Sequence, residues 1–251
     1  MTHHHAAAPV DAELLGAVLL AAGWVYVAAA RRTAWPRART VRWLLGVAAA
    51  VGGLAVATTG ADARAHVAGH LLVGMVAPLL LVTAAPVTLA LRTLPRGDRS
   101  DPRAPDRARA LARLLASPPL AVLTHPAVAA VLDVGGLWVV YRTDLLAGLP
   151  PVLGHLHMLL AGYLFTFSLV GRDPAPHRPG LAVRAAVLVA AVAAHDVLAK
   201  LLYAAGDEQA GLLMHYGGTP VHVVLLVLLG REWAAGERRA AARPLRPAVR
   251  G

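Results

Sequence analysis

Apolar residues run in long unbroken blocks along this chain, separated by short segments that hold nearly all the charge. The blocks cover residues 14–30, 41–58, 66–91, 119–141, 152–170, 183–204 and 209–230. Each is close to the roughly 20 residues a helix needs to cross a bilayer. The pattern predicts an all-α integral membrane protein, a bundle of about seven transmembrane helices. Ala and Gly are frequent within the blocks, and such small residues let membrane helices pack closely. The third block is long enough to tilt, or to bend at Pro78 and Pro86. Gly217-Gly218-Thr219-Pro220 predicts a break in the last block, tolerable only where it lines a protein or water-filled interior. No internal repeat marks a duplicated transporter half.

The connections then give an orientation. Lys and Arg number five, seven, three and six in alternate connections and the final tail, against none, one, one and none in the others. The balance is 21 to 2, with Lys200 inside a block. Positive charge concentrates on the cytoplasmic side, so the N-terminus is expected outside and the C-terminus in the cytoplasm. The resulting layout is an outer tail over 1–13, a membrane domain over 14–230 and a basic cytoplasmic tail over 231–251. The domain carries a basic cytoplasmic loop over 92–118, and 105–117 reads as a short helix lying on the membrane, Ala and Leu on one face and Arg around it. The tail lacks a basic stretch and a cleavage site, so the first block is expected to remain as an anchor.

Composition narrows the function. Of 251 residues 57% are apolar and 15% charged, and the mean hydropathy is +0.58. A soluble domain averages about 25% charged residues. A soluble enzyme and a disordered chain are thereby excluded. A net charge of +10 could suggest a nucleic-acid partner, but the basic residues flank apolar blocks, so the expected surroundings are the lipid bilayer and no nucleic acid. There is no Cys, which removes disulfides, thiolate ligands and thiol nucleophiles.

What remains chemically is histidine. With the orientation fixed, seven of the 12 histidines fall in the outer half of the bundle or at its edge. His66 and His70, four apart, share a helical face at the outer end of the third block. His155 and His157 open the fifth, His195 lies in the sixth, and His215 and His222 lie in the seventh. Ionisable groups inside a bilayer are costly unless they face a polar interior, which makes function the default expectation. Neutral imidazole suits copper, zinc, nickel and haem iron. Met75, Met158 and Met214 lie in the same layer and could offer thioether to Cu(I), core packing being their ordinary role. Asp196 and Lys200, also four apart, are expected to pair within one helix, the alternative being that Asp196 orients an imidazole on another.

Several segments together resemble a known family. They are His66-Val-Ala-Gly-His70, Ala77-Pro78-Leu79, Ala85-Pro86-Val87-Thr88-Leu89, His157-Met-Leu-Leu-Ala-Gly162-Tyr163-Leu164-Phe165 and Gly171-Arg-Asp173-Pro174-Ala-Pro176. His195, Gln209 with Gly211, and Tyr216-Gly217-Gly218 follow in the same order. The chain resembles the bacterial multi-spanning cytochrome c oxidase assembly factors called CtaG. The resemblance implies a non-enzymatic, multi-pass protein of the bacterial plasma membrane. It would work with cytochrome c oxidase subunits, helping the copper site of a haem–copper oxidase mature. It maps the family's histidines to His66, His70, His157 and His195, with His215 the next candidate and copper the expected cofactor. His155, His222, Met75, Met214, Asp196 and Lys200 are possible additions. The chain departs from the family at Thr219 and His222, where some relatives carry acidic residues.

Two other classes fit the histidines: a bis-histidine haem electron-transfer protein, and a metal or ion transporter. A separate candidate lies in the tail. An N-terminal amine with His at the third position can wrap Cu(II) in a square-planar nitrogen set, and His3 or His4 meets that condition with or without removal of Met1.

Overall fold

The computed structural model of the chain describes residues 7–60, 62–95, 106–143 and 149–241, and every regular element among them is helical. The long helices are α1 (Ala7–Arg31), α2 (Arg37–Thr59) and α3 (Ala63–Thr83), and later α8 (Pro151–Val170), α9 (Leu181–Ala204) and α10 (Glu208–Ala241). These six are long and apolar enough to cross a membrane. Between them lie α4 (Pro86–Thr93), α5 (Arg107–Leu115), α6 (Pro118–Leu123) and a segmented helix α7 over 126–142.

The expected span over 119–141 is therefore divided. Pro126 lacks an N–H and disfavours helical geometry in the residue before it, and His125 is extended (φ −68°, ψ 128°). The 66–91 block is divided for the same reason. Ala85, before Pro86, sits in the left-handed region at φ 57°, so the bend falls at Pro86. The strained turn is held by Tyr26, whose hydroxyl donates to the Ala84 carbonyl (2.9 Å) and accepts from Trp35 Nε1 (2.8 Å). Upstream of Pro78 the chain widens into a π-helical turn, Leu71–Val76, and α7 has a second such turn at Val131–Gly135.

The predicted break at Gly217–Pro220 does not occur: α10 runs through Pro220 as one helix. Thr219 donates back to the His215 carbonyl (2.7 Å) within the same stretch. Gly218 serves close packing instead of a turn, since a Cβ there would stand 2.8 Å from His195 Cε1. The short basic helix of the 92–118 loop is present as α5, capped by Asp106, which accepts from Arg109 N–H (2.8 Å).

In the bundle, α3 and α8 form the centre and α1 the rim. Over half of the apolar window is buried in the first two (56% each), against 11% in α1, whose Leu14, Trp24 and Val25 face outward. Large apolar side chains on that outer surface suit contact with lipid tails. α3 packs on α2, α8 and α10, α7 on α8 and α9, and α9 on α10.

At the arginine-rich end, polar clasps tie the helices together. Asp173 accepts from the N–H groups of Val87 (3.2 Å) and Thr88 (2.6 Å) and from the Thr88 hydroxyl, anchoring the start of α4. Buried Arg184 donates to the Leu169 carbonyl (2.7 Å) and forks onto both oxygens of Glu232. At the opposite end Asp62 caps α3. Its bonds to Ala65 N–H and then to Arg64 hold its carboxyl below the usual range.

Candidate metal centre

The helices enclose a small, mostly apolar chamber whose wall also carries His70 and Met75 of α3, Asp133 of α7, Thr166 of α8, His195 of α9 and His222 of α10. Both π-helical turns lie on its wall, one through Met75 and one through Asp133. A π turn inserts an extra residue and so re-aims the side chains after it, and such turns recur at functional sites.

His195 is deeply enclosed here. It is 3% exposed, and neither ring nitrogen has a hydrogen-bond partner. Buried polar groups are normally satisfied, so two orphaned nitrogens on one imidazole call for a partner beyond the side chains present. His222 meets the ring edge-on, with centroids 5.0 Å apart. Donor atoms of His195, Asp196 and His222 lie within 4.8 Å of one another, close enough for one cation to reach all three. Trp138 Nε1 donates to the Ala194 carbonyl (3.2 Å), fixing α9 against α7 beside this group.

Asp196 does not form the expected pair with Lys200 and takes the alternative role, facing imidazoles. Its Oδ1 lies 3.2 Å from His215 Nδ1, on the neighbouring helix, and 4.0 Å from His195 Nδ1. Among the described residues it makes no ion pair with Lys200, which is exposed. On the opposite wall, His70 Nδ1 lies 3.2 Å from Met158 Sδ, an imidazole and a thioether side by side in a buried setting.

The histidines expected to converge thus divide. His70, His195 and His222 line the chamber, and His215 stands behind Asp196. His66 lines a second cavity at the same end of α3 as Asp62, together with Tyr141 and Asp207. His157 faces away from both. It is exposed, and its Nε2–H donates to the Leu132 carbonyl (3.0 Å). Met158, the next residue of α8, is the one turned inside. His155 is buried but donates to its own helix at the Pro151 carbonyl (2.9 Å). Met214 belongs to the apolar core. His3 and His4 lie outside the described residues.

Sequence reasoning did not single out Asp133 or Tyr141. For Asp133 a signal existed: a lone carboxylate in the middle of an apolar block. Tyr141 offered none, because its importance comes from what it stands between.

The family model of the caa3-type cytochrome c oxidase assembly factor matches residues 21–236. The chain belongs to this assembly factor family. The match takes in α2 to α9 whole and most of α10, and every residue that lines the chamber. Among the relatives, uncharacterised proteins of Mycobacterium bovis and Mycobacterium tuberculosis are each 33% identical over 271 residues. One of Mycobacterium leprae is 31% identical over 265. The alignments cover 92% of this chain but 40% of each relative, so the chain spans about two-fifths of the length of the curated relatives it matches. No solved structure matches it.

Proposed function

We propose that this caa3-type assembly factor binds copper through the chamber histidines and helps insert it into a haem–copper cytochrome c oxidase of the bacterial plasma membrane. On this reading it is a carrier and not an enzyme. It lies with the N-terminus outside, and copper is its cargo. The observation that carries the reading is His195, buried with two unpartnered nitrogens and with His222 and Asp196 in reach of the same ion. The donor set favours copper over haem. The chamber admits only a few water-sized guests, far less than a macrocycle needs. His70 with Met158 adds the imidazole and thioether pairing that suits Cu(I), and no thiolate competes. A few exchangeable ligands also suit a protein that must release its metal.

Metal analysis and an optical spectrum of the detergent-purified protein test this directly. The expected result is Cu(I) bound at about one per chain, no Soret band, and loss of that copper in His195→Ala with His222→Ala. A Soret band, or copper binding that survives the double substitution, overturns it.

A further inference from the structure

The second cavity and the chamber lie in succession along α3, and Tyr141, which lines the second cavity, stands beside a histidine of each. His66 lines the first and His70 the second, one helical turn apart on the same face. Tyr141 makes T-shaped contacts with both, at 5.5 Å from His66 and 6.1 Å from His70 between centroids. Its hydroxyl is buried and has no hydrogen-bond partner, so no polar contact pins the ring in place. The vestibule also carries Asp207, whose charge raises the local concentration of cations, while Asp62 on the same rim is already paired with Arg64. The far side of the chamber is different. Buried Leu169, Leu188, Leu225 and Leu229 fill it, and the Arg184–Glu232 clasp lies beyond them. A cation would meet a carboxylate and imidazoles from one end of the bundle, and the Arg184–Glu232 clasp and a packed apolar layer from the other.

We propose that Tyr141 is a gate, and that a soft monovalent cation passes it from His66 in the vestibule to His70 in the chamber. The proposal deepens the copper reading and rests on it for the identity of the natural cargo, but the route itself is testable without copper. His66 is the capture group, Tyr141 the barrier, and the leucine layer makes exchange one-sided.

The absence of native cysteine allows a clean test. Ala191→Cys puts a single thiol on the chamber wall, with Val192→Cys as a second reporter if the first folds poorly. In sealed vesicles of each orientation, Ag+ is added outside and the thiol left free is counted after denaturation. Blocking should proceed from the His66 side only. Tyr141→Ala should speed it at least tenfold, Tyr141→Phe should leave it unchanged, and His66→Ala should slow it several-fold. An unchanged rate in Tyr141→Ala, equal blocking from the other side, or no blocking in any background overturns the gate. Prior loading with Cu(I) should protect the thiol. If the Ag+ rates follow the expected order and Cu(I) gives no protection, the copper reading fails while the route stands.

Discussion

His195 and Gly218 illustrate how a single position sets up the chamber. The imidazole fits because α10 has no side chain where it passes, and a Cβ on Gly218 would fall 2.8 Å from His195 Cε1. Gly218→Ala should therefore displace the ring while leaving both helices formed. Groups that orient a metal ligand typically change affinity by about 10–100-fold when disturbed. We expect a loss of about tenfold in Cu(I) affinity, read by competition with a Cu(I) chelator, with unchanged helical circular dichroism. At this scale the sequence disclosed residue type and depth but not direction. His155 and His157 looked equivalent at a helix start, yet one turns inward to its own backbone and the other outward to Leu132. Asp196 could pair along its helix or across to the next, and only the packing of α9 on α10 decides for His215.

Between residues and bundle, the elements show where local chemistry was decisive. Apolar runs located five of the seven blocks as continuous spans, because twenty or so apolar residues in a row have few other uses. Proline divided the other two, at Pro86 and Pro126, through its effect on the preceding residue. Pro220 had no such effect. Inside a long packed helix the loss of one hydrogen bond is tolerated when neighbours hold both sides. The π-helical turns left no mark in the sequence pattern, although both border the chamber. The family-like segments around Asp173 and Thr88 serve as clasps between elements. Arg184 is 4% exposed and depends on Glu232 for charge. Hydrogen bonds to charged groups contribute roughly 1.5–3 kcal/mol. Because the Glu232 side chain is half exposed, Glu232→Gln should cost about 1–2 kcal/mol, after allowing for solvent screening. A lower detergent-solubilised melting temperature with unchanged copper stoichiometry is the expected outcome. Lost copper binding in that variant would mean the clasp and the chamber are coupled.

For the whole molecule, a helical bundle is polar inside at one level and apolar on its rim, which inverts the arrangement of a soluble protein and suits a bilayer. The proposed orientation rests on 21 basic residues against 2 and requires α7 to cross as a seventh span, since the six long helices alone would leave both termini on one side. The clasps lie at the basic end and the vestibule at the other, which on the proposed orientation is the outer side. Family membership joins this architecture to oxidase assembly, and the proposed copper site at the chamber histidines would link the two. The most direct test is the copper content of the oxidase itself, isolated from cells carrying either the native chain or the His195→Ala, His222→Ala variant. The variant must be verified as present in the membrane at native level. The account predicts oxidase that is assembled but deficient in copper, with activity restored by added copper in the growth medium. Oxidase with full copper content in the variant cells would contradict it.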